Sequence, residues 1–156
     1  MFAGMPGYSN DINAWTFLKR MYRKPGAGQA FDVAALHPYA RNVHQMLGEI
    51  KRLRKVMRKH GDGRQPLWIT EIGWGSGHPS RFGLTKGKKG QARILKRSFR
   101  ALEDKRKPFK IKQVLWFNFR DPGGQAQGCS FCSSAGLLKT NLDPKPAWRA
   151  FRSFTG

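Results

Sequence analysis

Two rhythms of apolar residues alternate along this chain. The stretches "AFDVAALHPY", "LWITEIGW" and "KQVLWFNFRD" are near-continuous runs of apolar, β-branched and aromatic residues. That pattern suits strands buried on both faces. Between them the apolar positions recur about every 3.6 residues. From Arg41 to His60, the positions Val43, Met46, Leu47, Ile50, Leu53 and Met57 define one face of a helix. Ile94, Leu95, Phe99 and Leu102 do the same between about Gln91 and Lys105. Near the start, Ile12, Trp15, Leu18 and Tyr22 share a face of a helix that Asn10 or Asp11 can cap and that runs to about Arg23. "MFAGMPGY" is a short apolar piece before it. "KPGAG" and "GDGRQP" break the first two helices. Lys145-Pro146 opens a last helix, around Ala147 to Phe154, with proline at a first helical position.

The result is strand then helix, four times over. Such alternation predicts an α/β fold with a parallel sheet covered by helices. No GxGxxG follows the first strand, so a dinucleotide-binding fold is poorly supported. The other common parallel architecture is the (β/α)8 barrel, where chemistry sits at the C-terminal strand ends. His37-Pro38-Tyr39, Glu71 and Trp116 all fall at or near such ends. Four units make half of a barrel that typically needs about 250 residues. Residues 1–156 therefore read as a single partial (β/α)-barrel domain. Its open edges and uncovered sheet face call for a complementing half-barrel or a second copy.

Composition adds a globular core and an extreme charge. Hydrophobic residues make up 39%, with 11 Phe and 5 Trp. No apolar run approaches the roughly 20 residues of a membrane helix, so no membrane partner is expected. Lys and Arg number 30 against 9 Asp and Glu, a net charge of +21. Non-specific polyanion binding follows from that balance. There is no zinc-finger spacing, RNP-like strand or helix-turn-helix to make it a dedicated nucleic-acid protein. The basic residues fall mostly in the helical stretches, where a solvated helix face is the bland explanation. The N-terminus lacks the basic and apolar regions of a secretory signal.

Among so few acids, Glu71 stands out, at the end of an apolar strand and before a Gly-rich, Trp-containing loop. Taken alone, a strand-end glutamate is more often a salt-bridge or capping partner, and His37 can be read as a core histidine and Tyr39 as a rim residue. Cys129 and Cys132 allow a redox pair, a zinc site with His60 and His78, or a short disulfide pinning a loop.

"VAALHPY", "LWITEIGWGSG", "VLWFNFRD" and "GLLKTNLDPKPAWRAF" together resemble the second half of a clan A glycoside hydrolase, in the style of secreted bacterial cellulases and β-xylosidases. The resemblance runs from about Met1 to Phe154, and T-E-I-G-W is its most specific element. It implies that the four strands are barrel strands five to eight, the C-terminal half of an incomplete TIM barrel. It also implies that Glu71 is the catalytic nucleophile of a retaining mechanism on a polysaccharide or oligosaccharide. His37 and Tyr39 would then contact the nucleophile or the sugar, and Trp116 and Trp74 would bind sugar rings. A disulfide between Cys129 and Cys132 and a secreted parent protein are further implications, and neither a cofactor nor a metal is called for. The family's acid/base is a Glu preceded by Asn, and no Asn-Glu pair occurs here; the remaining glutamates, Glu49 and Glu103, lie within amphipathic helices. The resemblance thus implies a chain that carries the nucleophile and is inactive alone. Two alternatives are a non-catalytic carbohydrate-binding protein and a basic polyanion binder.

Overall fold

The computed structural model describes residues 1–7, 12–80, 83–124 and 128–155. Its elements are β1 (Met5–Pro6), α1 (Ala14–Met21), β2 (Ala34–His37), α2 (Val43–Lys59), β3 (Leu67–Ile72), α3 (Gly87–Asp104), α4 (Arg106–Phe109), β4 (Ile111–Trp116) and α5 (Pro146–Arg152). The strands form one sheet in the order β1-β2-β3-β4. β1 lies parallel to β2 with Pro6 opposite His37, and β2 parallel to β3 with Leu36 opposite Ile69. The expected alternating α/β architecture is the one observed.

The chain divides into two compact units. The first comprises Met1–Ala40, His44–Ile72 and Leu102–Leu115; the second comprises Arg41–Val43, Gly73–Ala101 and Trp116–Gly156.

The first unit holds the sheet, α1, α2 and α4. Ala34, Ala35 and Leu36 of β2 are wholly buried, as are Leu67, Ile69 and Ile72 of β3. The α2 periodicity is realised with Met46, Ile50, Leu53 and Met57 in the core. Not all of its basic residues are solvated, however. Arg54 is buried; its Nε donates to the Phe109 carbonyl at 2.7 Å and Nη1 approaches Met57 Sδ at 3.6 Å. Burial lowers its pKa to about 10, and nearby Arg58 adds to the effect. The guanidinium thereby ties α2 to the turn that leads into β4.

The first helix starts later than the sequence suggests. Asn10 and Asp11 lie outside the described residues, and Asn13 is the cap, its Oδ1 accepting from the Thr16 N–H at 3.0 Å. α3 begins at Gly87 rather than near Gln91, and β4 ends at Trp116 rather than running on to Asp121. Phe117 and Phe119 are therefore outside the strand and do not share its period-two alternation; Phe119 is 59% exposed. Beyond Trp116 the backbone turns away from the ladder, and the Asn118 N–H bonds to the Ala135 carbonyl instead.

The second unit has its own core, in which Leu95, Leu137, Ala147 and Ala150 are buried and Phe99, Trp116, Trp148, Phe151 and Phe154 pack against them. A polar hub runs through it. Gln91 Nε2 donates to the Trp74 carbonyl at 2.8 Å and reaches those of Ala135 and Gly136 at 3.2 Å. Lys145 is buried, pairs with Asp121 Oδ2 at 2.5 Å and donates to Ser76 Oγ at 2.9 Å. Asp121 Oδ1 accepts the Gly136 N–H at 2.8 Å. Loop backbones with no ladder partner are satisfied in this way. Cys129 and Cys132 are joined as a disulfide.

Glu49, on α2, packs against Gly7, where a β-carbon would collide with its carboxylate, and its buried Oε2 has no hydrogen-bond partner. Burial raises its pKa from 4.5 to about 7, with Arg52 opposing the rise. A folded-state pKa above the unfolded one means that stability falls as pH rises through that interval. Glu49→Gln removes the ionisation, so it is expected to raise the melting temperature more at pH 8 than at pH 5. Each kcal/mol recovered corresponds to about 2–4 °C. Thermal melts of both proteins at the two pH values check this.

Candidate functional site

β2 and β3 run side by side, so their C-terminal ends deliver side chains to one place. Glu71, the fifth residue of β3, meets two residues from the end of β2. The Tyr39 hydroxyl donates to Glu71 Oε2 at 2.7 Å, and His37 Nδ1 lies 3.3 Å from the same oxygen. His37 and Tyr39 are two positions apart, on either side of Pro38, and their rings meet edge to face at 6.2 Å. The Glu71 side chain is 37% exposed and the His37 side chain 18%. The carboxylate is thus held by two partners and still open to solvent.

The protonation states follow from these contacts. Burial raises the Tyr39 pKa, and its hydrogen bond to the Glu71 carboxylate raises it further. Tyr39 therefore remains a neutral donor throughout the physiological range. Burial lowers the His37 pKa below its ordinary 6.5, against the pull of the Glu71 carboxylate. With its pKa lowered, His37 faces the carboxylate at 3.3 Å mainly as an uncharged imidazole at neutral pH.

Two further residues shape this corner, and the sequence reading passed over both. A β-carbon at Gly4 would run into the His37 ring and the Thr70 hydroxyl, so the segment leading into β1 approaches His37 as closely as it does because residue 4 is glycine. Thr70 Oγ1 is buried with no hydrogen-bond partner. The sequence signal for Gly4 was a glycine just before a short apolar piece, a signal that many turns share.

Glu71, His37 and Tyr39 are brought together in the first unit. The two tryptophans meet in the second, with ring centroids 6.1 Å apart. Trp74 is wholly buried, its carbonyl held by Gln91. This corrects its expected place among the sugar-binding residues lining a neighbouring subsite, since its ring offers no face to solvent. Trp116 is half-buried; its Nε1 donates to the Ala135 carbonyl at 3.1 Å and its ring packs near Phe99. Gly73, between Glu71 and Trp74 in sequence, admits the Phe117 carbonyl where a β-carbon would clash. His60, considered as a zinc partner for the cysteines, stacks on Tyr22 with centroids 4.3 Å apart.

The corner generates two expectations. An NMR titration places the His37 imidazole midpoint below 6.5, and Glu71→Gln moves it lower still, because the carboxylate is what holds it up. A midpoint that rises in the variant would contradict the 3.3 Å contact. Gly4→Ala destabilises the fold by about 1–3 kcal/mol through the forced overlap, read by urea denaturation.

Comparison with known proteins agrees with the fold. Solved structures share the fold, the following three among them. A family 39 glycoside hydrolase from the gut symbiont Bacteroides cellulosilyticus WH2 superposes with a TM-score of 0.61 at 21% identity, over 86% of this chain and 28% of its own. An active-site mutant of Rhizomucor miehei beta-1,3-glucanosyltransferase in complex with laminaritriose does so at 0.61 and 12%, over 81% of this chain and 46% of its own. A GH2 beta-galacturonidase from Eisenbergiella tayi bound to glycerol gives 0.57 and 20%, over 78% of this chain and 23% of its own. This chain thus spans less than half the length of each, and corresponds to part of their (β/α) barrels. No curated protein matches it. The glycosyl hydrolase catalytic core family matches residues 5–143, nearly the whole sequence, and the chain belongs to that family.

Proposed function

We propose that Glu71 is the nucleophile of a retaining glycosidase. The observation that carries this reading is the Tyr39–Glu71–His37 cluster, a solvent-accessible carboxylate fixed at a parallel strand end. Retaining hydrolysis needs an ionised carboxylate to attack the anomeric carbon and form a glycosyl-enzyme intermediate. Tyr39 and a neutral His37 orient that carboxylate without pairing it to a permanent cation, which leaves it nucleophilic.

The second carboxyl group is the missing part. It must protonate the leaving oxygen about 5–5.5 Å from the nucleophile and then activate water. Glu49 is directed at Gly7, and Glu103 is exposed near the end of α3. In this reading the acid/base comes from a complementing (β/α) half, either in a longer parent chain or in a separate one, and these 156 residues alone turn over little substrate. Positioned proton transfer is worth about 10²–10⁴ in rate. The substrate is a polysaccharide or oligosaccharide. Trp116, part-exposed where Trp74 is wholly buried, is the better sugar-stacking candidate of the two. The disulfide supports an oxidising, extracellular setting.

The test is to supply the complementing half and assay aryl β-glycosides. Glu71→Gln is expected to abolish turnover, and a mechanism-based fluorosugar to esterify Glu71, as read by peptide mass spectrometry. Labelling at a different carboxylate, or full activity of Glu71→Gln, would sink the assignment.

A further inference from the structure

On the helical side of the first unit, away from the strand-end carboxylate in sequence, a groove of about 320 Å³ is lined by Trp15, Lys19, Arg52, Lys55, Val56 and Lys59. Trp15 and Lys19 come from α1, four residues apart and so on one face. Arg52, Lys55 and Lys59 follow on α2 at steps of three and four, a single stripe about 10 Å long. Four cations thus line a single cavity, and among the described residues no carboxylate does. Lys139 and Lys145, by contrast, each have an aspartate partner.

The cavity has a floor as well as charge. Val56 is buried, and the Arg52 guanidinium lies over the Trp15 ring, 5.3 Å from its centroid. That contact pre-orders the guanidinium, whose planar fork suits a carboxylate. Glu49, one turn before Arg52 on α2, is the acid that its charge influences. Burial keeps that carboxyl partly protonated near neutral pH, so it cancels little of the positive field.

We infer that this groove binds an acidic oligosaccharide, its uronate carboxylates on Arg52, Lys55, Lys59 and Lys19, with the Arg52 guanidinium seated on the Trp15 ring beneath it. Mutual repulsion among the four cations is relieved when an anion enters. The volume falls within the range of small-ligand sites. A single aromatic ring, rather than a succession of stacking platforms, argues against single-stranded nucleic acid. The anion site stands on the groove alone; the choice of a glycan as its occupant rests also on the glycosidase reading. Such a site would hold a charged polysaccharide on the protein independently of the Glu71 corner.

The experiment is calorimetric titration of the 156-residue chain at about 0.15 M salt, where long-range attraction is screened beyond about 8 Å. The probes are tetragalacturonate, neutral cellotetraose and a single-stranded oligonucleotide of matched charge. Tetragalacturonate is expected to bind and cellotetraose not to. The K55E/K59E double variant is expected to lose about tenfold or more in affinity, and K88E/K89E, the same charge change on α3, less than about threefold. Glu71→Gln should bind as the wild type does, which separates this site from the proposed catalytic one. In wild-type NMR spectra the Trp15 indole and α2 amides should shift on titration, a readout independent of any variant's folding. Equal losses in the two double variants would reduce the binding to general electrostatics and overturn the proposal. So would tighter binding of the oligonucleotide through the same residues, loss of binding in Glu71→Gln, or shifts confined to other elements.

Discussion

The parallel register of the first three strands is the constraint on which the strand-end cluster depends. Pro6 opposite His37 and Leu36 opposite Ile69 bring the strand ends level. Glu71, two residues beyond Ile69, then meets His37 and Tyr39 through one carboxylate oxygen. A slip of one residue in either pairing would turn the side chains of that strand to the opposite face. The register is guarded on one side by Gly4, where even a methyl group would strike His37 and Thr70. It is guarded on the other by the wholly buried Ala34, Ala35 and Leu36, whose packing leaves no room to slide.

A chain with 30 basic and 9 acidic residues has few acids to distribute, and the structure uses them in distinct ways. Asp121 holds the buried Lys145, and Asp143 pairs with Lys139 at the surface. Asp62 accepts from the Tyr22 hydroxyl at 2.5 Å. Glu71 accepts from the Tyr39 hydroxyl, and its other neighbour is His37 at 3.3 Å. Like Asp62, and unlike Asp121 and Asp143, it has a tyrosine rather than a lysine as its hydrogen-bond donor. The same scarcity leaves the cavity lined by Arg52, Lys55 and Lys59 with no carboxylate among the described residues that line it.

The second unit shows how a loop-rich segment is stabilised without strands of its own. Gln91 and Lys145 are buried polar residues that collect carbonyls and hydroxyls from the segments around Trp74, Ser76 and Ser134–Gly136. Burying such groups is costly unless they find partners; the Gln91 amide nitrogen and the Lys145 ammonium do, while Gln91 Oε1 is buried without a hydrogen bond. The hydrophobic pattern gave no hint of this, because both residues sit in polar or basic surroundings in the sequence and owe their burial to loops distant along the chain.

Periodicity alone determined the order of elements, the α/β class and the apolar faces of α2 and α3, because 3.6-residue and continuous apolar patterns reflect which faces leave water. The family likeness, carried by short motifs at strand ends, singled out Glu71, His37 and Tyr39. Tertiary structure decided the rest. It buried Trp74 and Arg54, ended β4 at Trp116, moved the α1 cap to Asn13, and set Gly4 and Thr70 beside His37. Apart from the local Asn13–Thr16 cap, each of these turns on contacts between residues far apart in the chain. A local pattern records the tendency of a side chain to leave water, whereas the partner it finds there is fixed by how the strands pair and the loops fold back.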